Sequence, residues 1–197
     1  MRNLEAKKQL RTKLNQLRNA LSAEEQSDLS YSITEKVVSH YDFGRAKNIL
    51  IYMHYNSEVQ TDGIILYAFM LGKRVFIPKV EGEEMNFYEI RDLKECVSGF
   101  RGIPEPPQSA EVFRLSADWP KDETLVILPG LGFDKECKRI GYGGGYYDKY
   151  LAANSNCMKM AIGYDMQCMD HVPVEETDIA MDIIITDEQI ILPDGEE

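Results

Sequence analysis

The stretch 125–151, LVILPGLGFDKECKRIGYGGGYYDKYL, limits the possible folds of this chain more than any other. It opens with LVIL, a short apolar run rich in branched residues, which predicts a buried strand. Pro129 and Gly130 end that run and a polar loop follows. Gly143, Gly144 and Gly145 then lead into Tyr146-Tyr147-Asp148-Lys149-Tyr150-Leu151. Tyr147, Tyr150 and Leu151 fall at helical spacing, so the order is strand, glycine loop, helix. Such a path points free backbone N–H groups and the positive end of a helix at an anion, usually a phosphate. Consecutive glycines carry no Cβ to block a close approach. Lys135, Lys138 and Arg139 stand just upstream and add charge. A tight turn without a ligand would use the same glycines, but the coincidence of glycines, cations and helix start favours a phosphate site.

Two common nucleotide motifs are absent. No Lys-Ser or Lys-Thr follows the glycines, as a P-loop requires. The run from Gly141 to Tyr146 lacks the third glycine of a dinucleotide fingerprint, and ten residues of loop part it from the strand.

The rest of the chain alternates helical and strand patterns. Residues 3–20 predict a helix whose buried stripe is Leu10, Leu14, Leu17 and Leu21. At ~100° per residue, Lys7, Arg11 and Arg18 gather along one edge of that stripe, where the helix would meet the body of the protein. Charges on a helix ordinarily face solvent. Ser22 to Glu25 form a capping box that starts a second helix reaching residue 40. A strand over 49–53, a polar loop over 54–60, a helix from Thr61 as N-cap to residue 71 and a strand over 74–78 make a β-α-β unit. Its crossover has the length a parallel pair requires. Ligands lie beyond the carboxyl ends of such strands, where Met53 and Glu58 fall. Further strands are expected at 85–90, with antiparallel pairing an option, and at 160–164, 183–186 and 190–192. Residues 193–197 read as a frayed tail. This pattern gives an α/β layer fold with a mainly parallel sheet.

The 197 residues suffice for one domain with a sizeable core. The net charge of −11 opposes general nucleic-acid binding and an anionic membrane surface. Residues 1–20 hold six Lys/Arg against one Glu, a net of +5, which leaves −16 for the remainder. The cysteines at 96, 137, 157 and 168 form no C-x-x-C pair and no zinc spacing. With no signal peptide visible, reduced thiols in the cytoplasm are expected. His40, His54 and His171 show no spacing of a metal site or triad. No apolar run approaches the roughly 20 residues of a membrane span.

The PGLGFD segment, the run Arg139-Ile140-Gly141-Tyr142-Gly143-x-Gly145-Tyr146-Tyr147-Asp148, and the spacing between them resemble the 5-formyltetrahydrofolate cyclo-ligases, also called methenyltetrahydrofolate synthetases. At lower density the resemblance runs from the first helix to Asp182. It implies a single domain over 1–197 with a three-layer α/β fold, its central sheet flanked by helices. Sugar-phosphate isomerases and CoA transferases have similar folds. It implies ATP- and Mg²⁺-dependent closure of 5-formyltetrahydrofolate to 5,10-methenyltetrahydrofolate, with release of ADP and phosphate. ATP contacts are carried over onto Lys7, Lys8 and Arg11, and onto Arg139, Ile140, Gly141, Tyr142, Gly143, Gly144, Gly145, Tyr146 and Tyr147. Folate contacts fall on Met53, Glu58, Tyr142, Gly143, Gly144, Gly145 and Tyr146. Magnesium falls to Asp148 and Asp182. Residues 100–107, FRGIPEPP, resemble a family segment near the substrate. Gly144 stands where some members carry Lys, which shifts weight to Arg139 or Lys138. The expected partner is a reduced folate, with no nucleic acid and no membrane, and the expected state is a monomer.

Two other readings compete. A sugar-phosphate isomerase or deaminase of similar fold would need a general base near the phosphate loop, for which Asp134 or Asp148 can be named. A nucleotide- or RNA-binding module would use the basic first helix, against the net charge and without the aromatic-basic interleaving of RNA readers.

Overall fold

Branched apolar residues build the centre of the sheet. In β1 (Asn48–Ile51) and β4 (Thr124–Pro129) every residue is buried, as a parallel strand covered on both faces demands. The computed structural model describes residues 2–193, so most of the expected tail, 194–197, lies outside the described residues. The remaining strands of the main sheet are β2 (Arg74–Glu81), β3 (Glu84–Ile90), β5 (Met158–Ile162), β6 (Ile183–Ile185) and β7 (Ile190–Ile191). Their order is β7-β6-β5-β4-β1-β2-β3. β1 runs parallel to both β2 and β4, with Ile49 opposite Val75 and Leu125. The parallel run continues through β5 to β6, while β3 and β7 close the two edges antiparallel.

Alternation along the strands sends side chains to two separate cores. Ile49, Ile51, Leu125 and Ile127 meet Ile33 and Val37 of α2 (Ala23–Ser39), Phe43 of α3 (Tyr41–Arg45), and Ile64, Ile65 and Ala68 of α4 (Asp62–Met70). Leu50, Val126, Leu128 and Ile184 face the other way, onto Tyr150 and Leu151 of α5 (Tyr146–Ala153). The result is three layers, with the sheet in the middle. Among the described residues, no helix is long and apolar enough to cross a membrane.

The first helix, α1 (Arg2–Asn19), belongs to neither outer layer. Leu14 docks it beyond the carboxyl ends of the strands, against Leu131, Ile140 and Val172. Of the expected leucine stripe, Leu14 is buried and Leu10 and Leu21 pack against the cores, but Leu17 does not follow. Leu17 is 41% exposed, whereas Lys7 is 4% and Arg18 2% exposed. The inward face is therefore Lys7, Leu10, Arg11, Leu14 and Arg18, the expected stripe extended over its basic edge. Polar residues go inward here because the surface beneath is a polar cleft.

Several local details differ from the sequence expectation. The capping box at Ser22 and Glu25 forms as read. Thr61 precedes α4 but makes no side-chain cap; its hydroxyl donates to the Tyr52 carbonyl at 3.0 Å instead. The loop between β4 and α5 contains a small antiparallel ribbon, Gly132–Phe133 against Arg139–Ile140. That ribbon returns the chain to the end of β4, so the glycines sit where the strand stops.

Candidate active site

A cleft of about 660 Å³ opens at the carboxyl end of β4. One wall is α1, with Lys7 and Arg11. The second is the turn 139–149, and the third is the loop 175–179. Two of the glycines take backbone that L-residues rarely adopt, Gly143 with φ +99° and Gly145, the N-cap of α5, with φ +67°. The first N–H groups of a helix have no acceptor within it. The start of α5 therefore brings donors and a partial positive charge to the cleft.

Arg11 ties α1 to this turn. Its Nε donates to the Gly141 carbonyl at 2.9 Å, and a Cβ on Gly143 would lie 3.3 Å from its Cζ. Lys7 reaches across to the third wall, 2.9 Å from Asp178 and 3.3 Å from Glu175. A buried ammonium needs such paired charge. Burial pushes the Asp178 carboxyl up, but the Lys7 bond and the Glu175 N–H outweigh it, and its pKa lies below the ordinary value.

Arg139 is not a free cation. Its Nη2 donates to both Asp148 oxygens at 3.2 Å, its Nη1 donates to the Pro129 carbonyl at 3.2 Å, and its Cζ lies 5.8 Å from the Tyr147 ring centre. Asp148 also accepts the Ile179 N–H at 3.2 Å. Asp178, one residue before that contact, therefore lies beside Asp148 on the cleft wall. Lys149 lines the cleft too, whereas Lys138 is paired with Glu136 and does not.

Tyr142 leads away from the glycines to a second polar group. Its hydroxyl donates to Glu58 Oε1 at 2.8 Å and accepts from Arg18 Nη2. Arg18 Nε donates to Ser57 Oγ at 3.0 Å, and Glu58 Oε2 accepts the Tyr55 N–H at 2.9 Å. Burial raises the pKa of Glu58, opposed by the Tyr142 and Tyr55 bonds and by the Arg18 charge.

The sequence expectations are met unevenly. Lys7, Arg11 and residues 139–148 line one cleft, and Glu58 joins them through Tyr142. Three residues do not. Lys8 is exposed on α1 and lines no part of the cleft. Met53 packs into the core beneath α4. Asp182 is the main correction. Its backbone N–H bonds Lys159 at the start of β5, and its carboxylate is held by the Lys159 N–H at 2.8 Å, Lys159 Nζ at 2.9 Å and Lys121 Nζ at 3.0 Å. Asp182 is thus committed to lysines at the amino ends of the strands and lines no part of the cleft that holds Asp148. Asp178 does line the cleft with Asp148, and its neighbour Ile179 donates its N–H to Asp148. Sequence reading passes over Asp178 because a loop acid beside Glu175 and Glu176 carries no periodic signal. Arg18 was visible on the basic edge of α1, but nothing in the sequence separated it from a solvated charge.

Asp134 is 1% exposed and saturated by the N–H groups of Glu136, Lys138 and Val172, so it is a loop organiser and not a base. Asp148 is clasped by Arg139. On the basic edge of α1, Lys7 and Arg18 are buried against the protein.

Comparison with known proteins places this geometry. The model of the 5-formyltetrahydrofolate cyclo-ligase family matches residues 3–187. The mouse 5-formyltetrahydrofolate cyclo-ligase is 32% identical, over 91% of this chain and 93% of its own length. A solution structure of Aquifex aeolicus 5,10-methenyltetrahydrofolate synthetase superposes with a TM-score of 0.83 at 28% identity, covering 97% of this chain and 94% of that one. A Mycoplasma pneumoniae 5,10-methenyltetrahydrofolate synthetase gives a TM-score of 0.72 at 28% identity, over 92% of this chain and 98% of that one. With the match running nearly end to end and the fold shared, this chain belongs to the 5-formyltetrahydrofolate cyclo-ligase family.

Proposed function

We propose that this protein closes 5-formyltetrahydrofolate to 5,10-methenyltetrahydrofolate at the expense of ATP, in the cleft between α1 and the glycine turn. One observation carries the reading: Arg11 lies against Gly141 and Gly143, so a cationic helix and a helix-start turn converge on one volume. The chemical obstacle is the formamide oxygen, a poor leaving group. Transfer of the γ-phosphoryl group to that oxygen breaks the bond to ADP and forms a C–O–P link. N10 then attacks the carbon, the C–O bond breaks, and phosphate carries the oxygen away.

Positioning and charge stabilisation supply most phosphoryl-transfer catalysis, so no protein nucleophile is required. The turn 143–145 and the start of α5 cradle phosphate through backbone N–H groups. Lys7 and Arg11 balance its charge from the opposite wall, and Lys149 adds a cation that Gly144 does not. Among the described residues no group of three or more His, Cys, Asp or Glu side chains could hold a metal. Magnesium rarely needs one, since it takes one or two carboxylates and completes its shell with phosphate oxygens and water. Asp148 and Asp178 fit that demand, and the bound ion would neutralise the phosphate charge. Arg139 fixes the orientation of Asp148. Glu58 offers a buried acceptor for the amino and N–H groups of a reduced pterin.

The test is direct. Purified protein with ATP, Mg²⁺ and 5-formyltetrahydrofolate should accumulate the methenyl product, followed by its ultraviolet absorbance. Absence of an ATP-dependent rise would reject the activity.

A further inference from the structure

Tyr142 is tied to three parts of the molecule at once. Its backbone sits between Gly141, whose carbonyl accepts from Arg11, and Gly143, with φ +99°. Its hydroxyl reaches Glu58 in the loop after β1, and Arg18 of α1 both donates to that hydroxyl and lies 5.6 Å from the ring centre. The residue is nevertheless 53% exposed. It also stands between two hollows. It lines the 660 Å³ cleft and, with Arg11, a second groove of about 350 Å³ running along α1 past Asn15, Gln16 and Leu131.

Glu58 is 7% exposed, and its two oxygens accept from Tyr142 and from the Tyr55 N–H. A buried carboxylate cannot cheaply lose a donor. Any ligand that takes Glu58 Oε1 must therefore bring an N–H of its own and exchange it for the Tyr142 hydroxyl. The glycines on either side let Tyr142 turn, whereas Arg18, 2% exposed and anchored on Ser57, stays in place. A phosphate drawn to Arg11 acts on the same peptide pair that carries Tyr142.

We propose that Tyr142 is a latch between the two substrate sites: its hydroxyl and a pterin N–H compete for Glu58, and nucleotide on the glycine turn shifts Tyr142 off that carboxylate. This rests on the reading of Glu58 as a folate-binding residue. Nucleotide and folate then bind with positive coupling, and by linkage each tightens the other by the same factor. The factor expected is about tenfold, what one hydrogen bond to a charged group supplies.

The experiment measures the Kd of 5-formyltetrahydrofolate by titration calorimetry, with and without a non-hydrolysable ATP analogue and Mg²⁺. It compares the natural protein with Tyr142→Phe, whose folding is checked by thermal melting. In the natural protein the analogue should tighten folate binding about tenfold. Tyr142→Phe should bind folate without the analogue about as tightly as the natural protein does with it, and the analogue should then add less than about twofold. Equal coupling in both proteins, no coupling in the natural protein, or weaker folate binding by Tyr142→Phe would each overturn the latch. In those cases folate still binds the natural protein. Failure of the natural protein to bind folate under either condition would overturn the proposed function as well.

Discussion

Lys7 and the aspartates decide the account at the scale of single residues. Lys7 holds a charge inside the protein only because Glu175 and Asp178 face it. Lys7→Ala should lower kcat/KM by about 10²–10³, the loss typical of one transition-state charge contact; a steady-state rate within a few fold of normal would contradict that role. Asp178 and Asp182 should separate cleanly. Asp178→Asn should raise the Mg²⁺ concentration needed for half-maximal rate. Asp182→Asn should leave that requirement unchanged and lower Tm by about 2–4 °C, the equivalent of roughly 1 kcal/mol for a partly solvated ion pair. Lysine bonds outweigh burial and hold the folded pKa of Asp182 below its ordinary value of 3.8. Its stabilisation is therefore present above 3.8 and fades as pH falls through the depressed folded value, so Asp182→Asn should flatten that acid limb. The glycines and Arg139 were legible because their chemistry is local. Asp178 was not, because a loop acid acquires meaning only when the fold sets it beside Asp148.

At the scale of elements, α1 is the piece that completes the site. Its helical character and the place of Lys7, Arg11 and Arg18 at the edge of the leucine stripe were readable, but not that Lys7 and Arg18 are buried there. Leu10 and Leu14 face inward as the periodicity expects and Leu17 does not, because burying Lys7, Arg11 and Arg18 against Asp178, Gly141 and Ser57 satisfies both partners. Leu14 is the apolar anchor, and Gly132 leaves it room: a Cβ there would lie 2.7 Å from Leu14 Cδ1. Leu14→Ala should cost about 2–4 kcal/mol in stability. It should also raise KM for ATP more than it lowers kcat, because the helix that carries two cleft cations is loosened. Steady-state kinetics and chemical denaturation of this variant check both. An unchanged KM alongside the expected stability loss would show that α1 does not form the nucleotide wall.

At the scale of the whole molecule, the fold was largely written in the pattern of strands and helices. Runs of Ile, Leu and Val in β1 and β4, each followed by a helix, require a parallel sheet covered on both faces. Both edge strands were readable, β3 with antiparallel pairing as an option, whereas α3 is too short for periodicity to register. The same architecture leaves the carboxyl ends of the strands open, and α1, the glycine turn and the loop 175–179 wall that opening into one cleft. If the cleft works by moving the γ-phosphoryl group onto the formyl oxygen, that oxygen must leave with phosphate. The decisive measurement is a single turnover with 5-formyltetrahydrofolate carrying ¹⁸O in the formyl group, followed by mass analysis of the inorganic phosphate. One labelled oxygen in the phosphate is the predicted result. Unlabelled phosphate, with the isotope released to water, would contradict it.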